Sequence, residues 1–271
     1  MNLELLASLP VSIQSQQMVL PSRFLGAFAK HRRAQTHIAA LSEAIQSYDA
    51  THPWEPEQSA DLGEGMVRIR IKELPPADIS LILGDVVHNL RASLDYATCS
   101  LVEFGNDGAD LSRTQFPFGT RETPLSKKER ENASLGNIFP HALTMIEEAR
   151  RCGDPWLDVL RLLSNQDKHR LLLTTVFRQF PMKVAIDREN NIAEIVPDHS
   201  NINVWLRPIS DGDVIPMPSI LHFKQGVVVE EAEAPYAITV INEINRVVGL
   251  ALRLMATAVD IPEPKKATAR S

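Results

Sequence analysis

Between Leu83 and Phe104 the apolar positions Leu83, Val87, Leu90, Leu94, Ala97, Leu101 and Phe104 recur at alternating steps of four and three. That spacing predicts a helix over Ile79 to Phe104 that buries one seam against a partner. Beside the seam runs a second stripe, Gly84, His88, Arg91 and Asp95, at the same steps. Residues three and four apart share a helix face, so these polar groups are placed to meet one object.

Other segments read as helices on the same grounds. From about Ser22 to Ala50, Leu25, Phe28, Ala29, Arg32, Thr36, Ala39, Ala40 and Ile45 outline a broad face, with His31, Arg32, Arg33 and His37 as an exposed basic surface. Pro140 to Arg151 is a short helix. Asp154 and Pro155 then give a start signal for a central helix, Pro155 to Phe177, apolar on nearly every side at both ends. Tyr236 to Val259 places Ile238, Ile241, Ile244 or Asn245, Val248, Leu252 and Met255 on one face.

Alternation of Val67, Ile69 and Ile71 with Arg68, Arg70 and Lys72 predicts a half-buried strand with a basic outer face, and the stretch before it, Thr51 to Gly65, reads as a loop. After Phe180 come short β-branched runs separated by Asn, Asp, Gly and Pro, including "NINVWLRP", which predict an antiparallel meander. From Gly105 to Gly136 the chain is polar, with "TQFPFG" extended and "LSKKERENAS" an exposed helix; this is the region it could most readily lose. The fold class expected is α+β: a helical core, about 22–180 and 236–260, with a small β-meander, about 181–235, inserted before the last helix, all in one domain, 1–271.

Composition narrows the function. A chain of 271 residues with formal charge −6, 44% hydrophobic and 23% charged residues has ample material for a core. The acidity argues against nonspecific nucleic-acid binding over the whole surface and leaves room for a local basic patch. Cys99 and Cys152 lack metal-ligand spacing and read as small core residues of a reducing compartment. "MNLELLASLPVSIQSQQMVL" lacks the form of a secretory signal, and no run has the length of a membrane span, so a cytoplasmic location is expected. There is no Walker loop, dinucleotide GxGxxG, GxSxG or HExxH, which disfavours nucleotide-driven, hydride-transfer and familiar hydrolase chemistries.

A second polar island, "SNQDKHR" from Ser164 to Arg170, sits inside the central helix. On a continuous helix Asp167 falls on the seam of Trp156, Leu160, Leu163 and Thr174, while Asn165 and His169 fall on the seam of Leu162, Leu173 and Val176. Burying an unpaired polar group costs on the order of 2 kcal/mol or more. His88, Arg91 and Asp95 are the obvious partners, so the two helices are expected to face each other with their islands joined.

The segments "GDVVHNLRASLD" and "NQDKHR", about seventy residues apart, resemble the paired signatures of a large group of uncharacterised bacterial proteins. In many members the first segment ends "RSALDH", with His where this chain has Tyr96. That His completes Arg-x4-His, the motif of HEPN-type helical ribonucleases, which the group resembles at the level of fold. The resemblance implies metal-independent chemistry in which an Arg holds the phosphate and a His acts as acid or base on the ribose hydroxyl. Only Arg91 carries over, so His88 or His169 would have to supply the His. The one Arg-x4-His match present, Arg32 to His37, is at the frequency expected by chance.

Four readings of the two islands follow. In the first, His88, Arg91, Asp95, Asn165, Asp167, Lys168, His169 and Arg170 form a structural network that fixes helix register. In the second, His88, Arg91, Asp95, Asp167 and His169 are catalytic groups of a ribonuclease or phosphodiesterase of a defence or toxin type, with Lys168 and Arg170 holding the anion and RNA or another phosphate-containing ligand as partner. The third makes His88, Asp95, Asp167 and His169 ligands of a divalent metal in a helical-bundle hydrolase, although Arg91 and Lys168 would place positive charge beside the ion. The fourth is a non-catalytic module that meets an acidic partner through Arg68, Arg70 and Lys72 or through Lys127, Lys128 and Arg130. No cofactor or resident metal is expected, and a homodimer is.

Overall fold

A computed structural model describes residues 22–62, 66–119, 124–136, 138–170, 175–187, 192–197, 211–216, 221–227 and 237–259. The first twenty residues, "NINVWLRP" and the C-terminal "PEPKKATARS" lie outside them. A 3-10 turn, Ser22–Phe24, leads into α1 (Leu25–Asp49), followed by β1 (Trp54–Glu57), β2 (Met66–Ile71), α2 (Ala77–Gly105), α3 (Lys127–Asn132), α4 (Pro140–Gly153) and α5 (Trp156–Arg170). Then come β3 (Thr175–Asp187), β4 (Ile192–Pro197), β5 (Val214–Pro216), β6 (Leu221–Val227) and α6 (Ala237–Thr257). The class is α+β, a set of packed helices with antiparallel strands before the last of them.

The expected seam of α2 is the centre of the core. Leu83, Val87, Leu90, Leu94, Ala97 and Leu101 are fully buried, and Phe104 closes the stripe against the Phe139 ring, 5.4 Å between centroids. α1 packs along α2, and α6 packs on α1, α2, α4 and α5. On α6 the choice between Ile244 and Asn245 falls to Ile244, which is fully buried.

The face of α1 is rotated from the expected one. Ala27, His31, Ala34, Leu41, Ile45 and Tyr48 point inward, while Leu25 is half exposed. Small residues let the helices approach closely: the Tyr96 ring lies over Gly26, and the His31 ring lies over Gly249 of α6. His31 is thus a core residue and not part of an exposed basic surface. Its Nε2 donates to the carbonyl of Asn245 at 3.1 Å.

Burial pushes the His31 pKa below its ordinary value, with Arg253 adding to the effect and the bonds to Asn245 opposing it. The unfolded chain therefore takes up a proton near pH 6.5 that the folded one refuses until lower pH. Stability from this group is complete above that value and is lost as pH falls through the window below it. The thermal midpoint should drop between pH 7.5 and 5.5, and His31→Gln should flatten that dependence; an unchanged slope in the variant would contradict this assignment.

Strand β2 buries Val67 and Ile69 as the alternation predicts. The stretch expected as a loop contains β1, which pairs antiparallel with β2, Glu55 opposite Arg70 and Glu57 opposite Arg68. At four residues with a proline, β1 has no periodicity to read, and Pro56 is tolerated because the strand is an edge. The pairing changes the meaning of the basic face. Lys72 meets Glu55 at 2.7 Å and Arg68 meets Asp61 at 3.2 Å, so much of that charge is answered within the chain.

β3 is the middle strand of a second sheet, between β4 and β6. β5 leaves that sheet and pairs with β2, anchored where the Ile71 N–H donates to Asp211 Oδ1 at 2.8 Å. Gly212, at φ 87°, makes the turn that permits it. The central helix is shorter than expected. It is described as far as Arg170, and Thr175, Val176 and Phe177, expected within it, belong to β3. An unbroken apolar run fits a buried helix or a buried strand equally, and β-branched Thr175 and Val176 favour the strand.

The region expected to be dispensable is built into the core. Thr114, Phe116, Leu125, Ala133 and Leu135 are buried between α2 and α4 in sequence, and Phe116 packs edge-on against Phe118 at 5.0 Å. Only α3 is exposed as expected, closed at its start by a capping box between Ser126 and Glu129. Cys99 is half-buried and donates to the Thr114 carbonyl at 3.7 Å, whereas Cys152 is exposed and not a core residue. No helix among the described residues is long and apolar enough to cross a membrane.

Candidate functional site

Two members of the polar stripe of α2 face α5. A Cβ on Gly84 would come within 2.9 Å of Asp167 Oδ1, and Arg91, two turns on, shares a cleft with Arg161 and Asn165. The pairs advance in opposite directions along the two helices, so α2 and α5 run antiparallel.

The cleft holds about 210 Å³ and opens to solvent. Its third wall is the segment Gln115 to Phe118, and Glu129, Asn132 and Ala133 close one side. Asp95 sets that wall: its Oδ1 accepts the Phe116 N–H at 2.8 Å, and its Oδ2 stands 3.7 Å from Arg91 Nε. The Arg91 guanidinium lies over the Phe118 ring, 4.7 Å from its centroid, and Nη2 donates to Gln115 Oε1 over a long 3.5 Å. Gln115 is itself turned by a 3.4 Å bond from its Nε2 to the Asn132 carbonyl. A planar cation on an aromatic face, with a carboxylate behind it, is a pre-oriented fork of donors.

The remaining charges are arranged in the same way. Arg161 Nε donates to Asp158 Oδ1 at 2.7 Å, which fixes the arginine. Glu129 accepts from the Ser126 N–H and hydroxyl, which hold its carboxyl below the ordinary glutamate range, and lies 3.6 Å from the deeply buried Arg150. Each charge in or beside the cleft thus has an opposite charge on the protein side. The lining acts through directed hydrogen bonds more than through a long-range field.

Arg91 and Asn165 line the cleft, Asp95 orients one of its walls and Asp167 sits against Gly84. His88 is exposed and is not among the lining residues. The side chains of Lys168, His169 and Arg170 lie outside the described residues. The islands were expected to be buried, yet Asn165 is exposed where the cleft opens to water, and Asp167, against Gly84, is half-exposed. Among the described residues no group of three His, Cys, Asp or Glu side chains could hold a metal ion. Tyr96, at the position of the motif histidine, lies on the α1 side of α2, over Gly26 and 5.9 Å from Lys30 Nζ, so it does not share the cleft with Arg91.

Arg161 was missed, although its spacing of four from Asn165 puts both on one face of α5. Gln115, Phe116 and Phe118 gave no signal, since their contacts with α2 span more than twenty residues of sequence. No family model, curated protein or solved structure matches this chain.

Proposed function

We propose that this protein binds a small phosphate-bearing molecule in the cleft between α2, α5 and Gln115 to Phe118, with Arg91 holding the phosphoryl group and Arg161 assisting. The observation that carries the reading is the state of Arg91. Its side chain is only 14% exposed and is oriented by Asp95 and Phe118, yet its one hydrogen bond among the described residues is the long one to Gln115. None of its nitrogens is a sealed, unpartnered donor. The donors left over therefore face the cleft, in the fork geometry that suits phosphate.

A ligand of one phosphate fits the described lining better than an RNA strand. Strand binding draws on many cations tracking a backbone, and the described residues of the cleft supply Arg91 and Arg161, each backed by a carboxylate. Among the described residues of the lining Glu129 is the one carboxyl and no histidine is present, which supports binding over turnover.

Calorimetric titration with inorganic phosphate and a set of organic phosphates tests this. The wild type should bind at least one of them, with affinity falling only shallowly as salt is raised. Arg91→Ala should weaken it by about 10- to 100-fold, the usual worth of a charge-assisted hydrogen bond, and Arg91→Lys should not restore it. Binding that is absent in the wild type, or equal in Arg91→Ala, would end the reading.

A further inference from the structure

The phosphate reading leaves the rest of the ligand undefined, and the carboxylate in the cleft bears on it. Glu129 stands in the lining of a site where Arg91 and Arg161 offer donors to an anion. Its Oε2 is taken up by the N–H and hydroxyl of Ser126. Its Oε1 has no hydrogen bond among the described residues, since Arg150 Nη2 stands 3.6 Å away, beyond hydrogen-bond reach. Nor is Oε1 sealed off from water, because the side chain is 36% exposed. An acceptor is thus left over in the lining, as Arg91 leaves donors over.

The fixed charges around the cleft cancel. Arg91 is paired with Asp95, Arg161 with Asp158 and Glu129 with Arg150. A phosphate alone would bring its charge to a site with no net charge and set it beside a carboxylate, which is unfavourable. A ligand that carries its own cation brings less net charge and answers Glu129. Volume limits its size: about 210 Å³ is the share of roughly seven waters at about 30 Å³ each. That is below the roughly 300 Å³ at which sites for drug-sized ligands begin, so the chain joining the two charged ends is short.

Resting on the phosphate reading, we infer that the ligand is a small aminoalkyl phosphate, a phosphomonoester whose primary ammonium donates to Glu129 Oε1 while its phosphoryl group lies against Arg91 and Arg161. Pro117 and Phe118 give the short carbon chain between the two ends an apolar wall. The ammonium is primary because the group that meets it is a hydrogen-bond acceptor, and a quaternary ammonium has no N–H to donate.

The test is calorimetry at one pH and ionic strength with inorganic phosphate, ethyl phosphate, phosphoethanolamine, phosphocholine and glycerophosphoethanolamine. Phosphoethanolamine should bind about tenfold or more tightly than ethyl phosphate, which lacks the amine, and than phosphocholine, which lacks the N–H donors. Glu129→Gln should bring the ratio of phosphoethanolamine to ethyl phosphate close to one. Glutamine preserves the capping box with Ser126, and circular dichroism checks that the variant is folded; if it is not, the wild-type ratios decide alone. Ethyl phosphate binding as tightly as phosphoethanolamine would overturn the amine assignment and leave the phosphate reading standing, as would a ratio unmoved in the folded variant. Glycerophosphoethanolamine, the soluble form of a lipid headgroup, should bind more weakly than phosphoethanolamine, and tighter binding would overturn the monoester in favour of a lipid source. Failure of every compound to bind would remove both readings.

Discussion

Phe116→Ala is expected to lower the free energy of unfolding by about 3–5 kcal/mol, the range for emptying an aromatic site in a packed core. Phe116 is 1% exposed, packs on Phe118, and has its N–H held by Asp95 across twenty-one residues of sequence. The substitution removes the ring and loosens the wall on which Phe118 supports Arg91, so phosphate affinity should fall with stability. Urea unfolding, with the two-state slope unchanged, measures the first effect. A loss below about 1 kcal/mol, the typical cost of an ordinary substitution, would mean that Gln115 to Phe118 is a surface loop that the helices do not need.

Substitutions at Asp95 should separate stability from binding. Asp95→Asn keeps an oxygen able to accept the Phe116 N–H and removes the charge 3.7 Å from Arg91, so stability should fall by about 1 kcal/mol. Phosphate affinity should rise about 5- to 10-fold, because a carboxylate no longer competes for the guanidinium or repels the ligand. Asp95→Ala also removes the acceptor and leaves a partly buried N–H without its partner, for a loss of about 2–3 kcal/mol. Calorimetry and urea unfolding on both variants check the pattern. If Asp95→Asn weakens phosphate binding while the protein stays folded, Asp95 is not the counter-ion that restrains Arg91.

What could be read from the sequence followed the length of each signal. The α2 seam repeats over six steps and was legible residue by residue, as was the antiparallel character of the later strands. Of the stripe Gly84, His88, Arg91 and Asp95, Gly84 and Arg91 look toward α5, while Asp95 holds the Phe116 N–H and His88 is exposed away from the cleft. His31 was misread because a histidine among arginines looks exposed. Its place in the Ala27, Ala34 and Leu41 row depends on small residues that carry little hydrophobic signal. The end of α5 was lost in a run of apolar residues that suits helix and strand alike.

The candidate site was half legible for a related reason. Residues on helices announce their faces by periodicity, and this located Arg91, Asp95 and Asn165. Gln115, Phe116 and Phe118 come from a stretch without regular structure, and only the tertiary bond from the Phe116 N–H to Asp95 brings them in. A charged group beside an apolar seam also reads as buried. A cleft relaxes that condition, since the rim remains in water while the walls are packed.

The account stands on Arg91 as the holder of a phosphoryl group. The most direct measurement is a crystal structure grown with the phosphate compound that binds most tightly in calorimetry, at a saturating concentration. The account predicts phosphoryl oxygens within hydrogen-bond distance of the Arg91 guanidinium, between α2 and α5. An ordered phosphate compound bound elsewhere on the molecule, with the guanidinium of Arg91 still facing an empty cleft, would contradict it.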